Sequence, residues 1–114
     1  MENRSRVAIV KMINYADEVV SFTKDVSYDE FSNNRLVIAA CVFNLSQIGE
    51  LVKLVDKKLI DKYKNIKWVA IKNLRHRIVH DYEGIQIDLI WQIIKENIPT
   101  LILDLKEIIE PKKN

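Results

Sequence analysis

Apolar residues recur along this chain in steps of three and four, the period of an amphipathic helix. Val7, Val10, Ile13, Asn14, Asp17 and Val20 lie at that spacing. Ile9, Met12 and Ala16 widen the apolar side, and a first helix is expected over residues 5–24. Ser27-Tyr28-Asp29-Glu30 then reads as a capping box, with Val26 and Phe31 placed as a hydrophobic staple. A second helix follows from Tyr28 to about residue 56, with an irregularity at Asn33-Asn34. Its stripe is Val37, Ala40, Cys41, Leu45, Ile48, Leu51, Val52 and Val55. Those steps of three, one and four are not the alternation of a strand.

Residues 57–65 read as a connecting segment, and a third helix is expected over 66–79. Glu83-Gly84 breaks the chain, since glycine commonly follows a helix end. The fourth helix runs from Asp88, read as its N-cap, to about Glu110. Pro99 inside it implies a kink or a restart, because proline has no amide to donate and crowds the preceding turn. Pro111 ends it. The expected fold is all-α: an up-and-down bundle of four main helices, the last kinked near Pro99, with residues 1–114 forming one domain.

Composition narrows the picture. Two glycines and two prolines fit long helices joined by short turns. The run from Leu36 to Gly49 is uncharged but short for a bilayer, and no leader pattern opens the chain, so no membrane role is expected. Cys41 is the single cysteine and sits among apolar residues, which suits a buried, reduced thiol and a cytoplasmic setting. The net charge of +2 excludes a histone-like polycation, so any nucleic acid must be held by a local patch.

The chemistry concentrates in Arg75-His76-Arg77-Ile78-Val79-His80-Asp81-Tyr82, which holds both histidines of the chain. Arginine is a permanent cation that grips phosphate bidentately, and histidine exchanges a proton near neutral pH. That combination suits phosphodiester chemistry on RNA. On a helical wheel Leu74, Ile78 and Ile71 cluster, with Trp68 and Val79 at the edge, and Arg75 falls inside this apolar arc. A charge there needs a partner. It is either a structural salt bridge, to Glu50 or Asp17, or a group facing a ligand or a second subunit. His80 lies roughly 140° from Arg75 on an ideal helix. The two converge only if the arginine reaches round, if the helix ends near Val79, or if a twofold partner supplies the other half.

His76 and His80 have a zinc-compatible spacing, but neighbouring cations and the lack of a His-Glu-x-x-His glutamate argue against a metal. No cofactor motif is present. Arg77 and Asp81 read as a surface ion pair. Asn44, inside the second helix's stripe, should bond to backbone or another helix, with the Arg75 region as the alternative. Trp68 and Trp91 read as core anchors.

Arg75-x4-His80-x-Tyr82 resembles the Arg-x4-His-x-Tyr motif of HepT-like toxins, a branch of the HEPN superfamily. His76 stands where that family usually has a polar residue. Ile48-Gly49-Glu50 is similar to its Ile-Gly-Glu segment, Trp68 to the tryptophan before the motif, and Asp88, Trp91, Ile98, Pro99 and Leu101 to its closing segment. Lys67 departs from a common proline, which touches only the helix start.

The resemblance implies an all-helical homodimer whose motifs line a shared cleft. It implies the toxin of a type VII toxin-antitoxin pair, a metal-independent ribonuclease with an RNA substrate and not DNA. It also implies a nucleotidyltransferase antitoxin that adds AMP to the motif tyrosine, here Tyr82. Arg75 and His80 become the catalytic pair, with His76 as a second proton-transfer or phosphate group, and Asn44 and Glu50 as supporting residues. The alternatives are a non-catalytic dimeric module that binds a nucleotide or partner, and a plain structural bundle with a buried Arg75–Glu50 pair.

Overall fold

The computed structural model describes residues 1–79 and 86–111. It is an all-α bundle: α1 (Asn3–Thr23), α2 (Tyr28–Ser32), α3 (Arg35–Val52), α4 (Lys57–Lys62), α5 (Trp68–Lys72), α6 (Leu74–Val79), α7 (Ile87–Gln92), a π-helical turn (Ile93–Asn97) and α8 (Ile98–Ile109).

α1 buries Ala8, Ile9, Met12, Ile13, Ala16 and Val19. Val7, Val10 and Val20, expected on the inner stripe, are exposed. The apolar side of α1 is wider than one stripe, and its neighbours decide which edge is covered. α1 and α3 run antiparallel, since Ser5 Oγ accepts from the Asp56 amide (2.8 Å) while Asn44 meets Tyr15. The buried Thr23 hydroxyl donates to the Val19 carbonyl at 2.9 Å. Asp25, at φ 59°, makes the left-handed turn after α1, a conformation that aspartate tolerates better than most side chains.

The capping box forms as expected. Ser27 Oγ accepts from the Glu30 amide (3.1 Å), and Glu30 Oε1 accepts from the Ser27 amide (3.0 Å). The Ser27 amide first, and then the Ser27 hydroxyl, favour the ionised carboxylate and hold the Glu30 pKa below its ordinary value. The sign follows: a depressed carboxylate pKa contributes stability above the unfolded pKa of 4.5 and loses it as pH falls through the folded value. Ser27→Ala is expected to cost about 1 kcal/mol at neutral pH. In urea melts, the gap from wild type should shrink below pH 4.5; a gap that widens in acid would contradict the coupling.

α2 docks through Phe31, fully buried and 4.9 Å from the Trp91 ring, and through the Tyr28 hydroxyl, which donates to Asp88. Asp88 therefore does not cap the last helical stretch; Gln86 occupies that position. The irregularity at Asn33-Asn34 is a true break, and Asn34 Oδ1 caps α3 by accepting from the Val37 amide (3.2 Å).

α3 is long and apolar enough by composition to cross a membrane. Its Ile38, Cys41, Leu45, Ile48 and Val52 are nonetheless packed into the core, so its apolarity serves burial here. Burial pushes the Cys41 thiol up to about 11. Because the thiolate is the reactive form, Cys41 is expected to resist Ellman's reagent at pH 8 in the native protein and to react fully in urea. Rapid native labelling would contradict the burial.

The expected connecting segment contains a helix, α4. The indole of buried Trp68 donates to the Tyr63 carbonyl at 3.0 Å, tying the end of α4 to α5. Pro99 sits in the first turn of α8, where its missing amide is harmless. The chain before it widens into the π-helical turn, in which the Ile98 amide reaches back five residues to the Ile93 carbonyl. α8 buries Ile98, Leu101, Ile102, Leu105 and Ile108.

Candidate active site

The motif helix is built in two pieces. The expected helix over 66–79 is interrupted at Asn73, whose φ of −95° and ψ of 12° leave the α region. Ile71, Leu74 and Ile78 anchor the pieces in the core. α3 holds them from one side at Gly49. A Cβ there would lie 2.8 Å from the Ile71 carbonyl oxygen and 3.1 Å from that of Lys72. The glycine thus lets α3 press directly on the backbone at the end of α5.

The break corrects the wheel. Arg75 is exposed, not enclosed in an apolar arc. Glu50 forms a 3.0 Å surface bridge with Lys53, the residue that follows its own helix, and Asp17 is exposed on α1. The expected structural bridge from Arg75 to Glu50 or Asp17 is therefore absent among the described residues, and with it the reading as a bundle built on a buried Arg75–Glu50 pair. Asn44 is 4% exposed and donates to the Tyr15 carbonyl (3.2 Å) and to Glu18 Oε1 (2.8 Å). It ties α3 to α1. Among the described residues, no hydrogen bond or ion pair links Asn44 or Glu50 to Arg75.

His76 is exposed in α6, one residue from Arg75. α6 is helical through Val79, and the Gln86 amide meets the Ile78 carbonyl at 3.4 Å. His80, Asp81, Tyr82, Glu83 and Gly84 lie outside the described residues. Arg77 is also exposed, but lies about 200° round an ideal helix from Arg75. It lines a hollow of about 370 Å³ between α5–α6 and the π-helical turn with α8.

One feature invisible in the whole-chain charge surrounds this site. Residues 57–77 hold eight of the eighteen lysines and arginines but one of the sixteen acidic residues. The segment carries +7 in a chain of net +2, which leaves −5 for the rest. All eight cations are exposed. Counting charge by segment would have found it.

An all-helical bundle that presents an arginine–histidine motif beside a basic surface defines a class of proteins suited to nucleic-acid phosphates. A family model, "Ribonuclease HepT-like", matches residues 12–108, and the chain belongs to that family. Two Methanocaldococcus jannaschii proteins, each named a putative RNase, are similar to it. One is 34% identical over 79% of this chain and 83% of its own length. The other is 32% identical over 87% and 85%. A Thermococcus cleftensis protein named a probable ribonuclease HepT is 26% identical over 86% of this chain and 90% of its own. No solved structure matches significantly.

Proposed function

We propose that this protein is a metal-independent ribonuclease, the toxin of a type VII toxin-antitoxin pair, acting through Arg75-x4-His80-x-Tyr82 in the cytoplasm. The observation that carries the reading is Arg75, exposed on α6 and, among the described residues, without the internal salt bridge that a structural role would require. The family and the names of its relatives support the same chemistry.

In this reading Arg75 holds the scissile phosphate and offsets the charge that grows on it in the transition state. His80 takes the proton of the ribose 2′-hydroxyl or gives one to the leaving oxygen. His76, one residue from Arg75, supplies a second proton-transfer or phosphate-contact group. Two copies complete the cleft. Large apolar side chains left exposed on α3, Leu36 at 81% and Phe43 at 58%, support self-association. A nucleotidyltransferase antitoxin transfers AMP to the Tyr82 hydroxyl with loss of pyrophosphate, placing an anion among these cations where it competes with RNA.

The test is cleavage of RNA in EDTA by purified protein, with His80→Ala and Arg75→Ala prepared in parallel to expose contaminating nuclease. Loss in both variants supports the assignment, and wild-type activity in either removes it. Intact mass after incubation with a minimal nucleotidyltransferase and ATP reads the modification, which Tyr82→Phe should prevent.

A further inference from the structure

The +7 stretch from α4 to α6 is not a featureless patch; four of its eight cations line hollows that α8 also lines, here taken together as one groove. The hollow beside Arg77 is floored by Ile71, Leu74 and Leu101. Lys67 and Arg77 stand on the α5–α6 side, and Glu96, Asn97, Thr100 and Asp104 on the opposite side. A second hollow, of about 420 Å³, reaches α8 at Ile108 and takes Lys58, Lys62 and Tyr63 from α4 and the residue after it. Thr100 and Ile108 are about 12 Å apart along a helix axis. Each hollow takes two cations from the stretch between α4 and α6, and the second also takes Glu2 and Asp56.

We propose that this groove binds a single-stranded segment of the RNA substrate away from the scissile bond, since Arg77 lies on the far side of α6 from Arg75. The phosphates lie along Lys58, Lys62, Lys67 and Arg77, and the bases turn into the hollows. The inference rests on the ribonuclease reading and extends it to surfaces outside the motif. Charge selects the occupant's backbone, because four exposed cations attract a polyanion and repel a cationic partner. The opposite bank sets the strand's orientation. Glu96 and Asp104 repel phosphates but accept hydrogen bonds from the exocyclic amines of bases.

Only a single strand has bases free to turn away from its phosphates in this way. The Tyr63 ring, already beneath the Lys62 ammonium at 5.7 Å, offers a stacking face in the second hollow. The π-helical turn widens the wall at Glu96 and Asn97, the kind of local irregularity found at ligand sites.

The experiment measures binding apart from cleavage. A fluorescein-labelled, mixed-sequence single-stranded 12-mer RNA is titrated against the His80→Ala protein in EDTA at several salt concentrations. Adding K58Q/K62Q is expected to weaken binding several-fold. It should also flatten the dependence of log K on log salt by about 1.4, at about 0.7 for each phosphate no longer neutralised. Adding K67Q/R77Q should do the same. K11Q/K24Q removes equal charge from α1 and the turn after it, and should leave both quantities unchanged. A duplex of the same length should compete poorly.

Equal losses in K11Q/K24Q, unchanged binding in K58Q/K62Q, or equal competition by duplex would each overturn the groove. Cleavage by the wild-type protein with groove-insensitive binding would remove this inference alone. Groove-dependent binding with no cleavage would remove the ribonuclease reading and leave the groove as an RNA-binding surface.

Discussion

Alanine at His80 or at Arg75 is expected to remove nearly all RNA cleavage while leaving the helical bundle folded. Loss of a general acid or base of this kind costs about 10²–10⁴-fold in rate. Loss of a single preorganised group that stabilises transition-state charge costs about 10²–10³-fold. Arg75 is exposed and bridges no other helix among the described residues, so its truncation should shift stability by no more than about 0.5 kcal/mol.

Arg75→Lys separates charge from geometry. Lysine keeps the cation but loses the planar fork, so a partial loss is expected if the phosphate is held bidentately. Initial rates in EDTA, with thermal melts on the same samples, check all three. A large drop in melting temperature for Arg75→Ala would show that the arginine supports the fold, and the catalytic reading of that residue would fail.

How much of this was legible in the residues depends on the range of the interaction involved. Ser27, Glu30, Asn33 and Asn34 act on backbone groups within four positions of themselves, so the capping box and the break before α3 could be read directly. The place of Arg75 could not. An azimuth taken on an unbroken helix misplaces it, because the departure at Asn73 rotates everything after it. α4 is only six residues long and buries none of them, so it carries no periodic signal. On α1, Val7 and Val10 are as apolar as Ile9 and Ile13; only the placement of α3 and α8 decides which pair is covered. Pro99 announces that one backbone hydrogen bond must be missing. Whether the chain kinks, restarts or widens to a π turn depends on packing around Ile93 and Ile94, both buried.

The residue whose role changed most between sequence and structure is Gly49, and it yields the second large effect. Gly49→Ala would stabilise an isolated helix by about 1 kcal/mol, because alanine loses less backbone freedom on folding. In this protein the opposite sign is expected. The added methyl would meet the Ile71 and Lys72 carbonyl oxygens at 2.8 and 3.1 Å. Both are backbone atoms, so no side-chain rotation relieves the contact. α5 must move outward, and overpacking of this kind costs about 1–3 kcal/mol.

Lys72 is three residues before Arg75, so the displacement is transmitted to the motif helix. Cleavage should therefore fall further than the loss of folded protein accounts for, even at temperatures where the variant is fully native. Urea melts give the sign of the stability change, and cleavage rates well below the melting transition give the positional effect. Ser46→Ala, a half-buried change on the same helix, supplies the comparison. If Gly49→Ala proved more stable than wild type, the close approach of α3 to α5 would not be the constraint that positions Arg75.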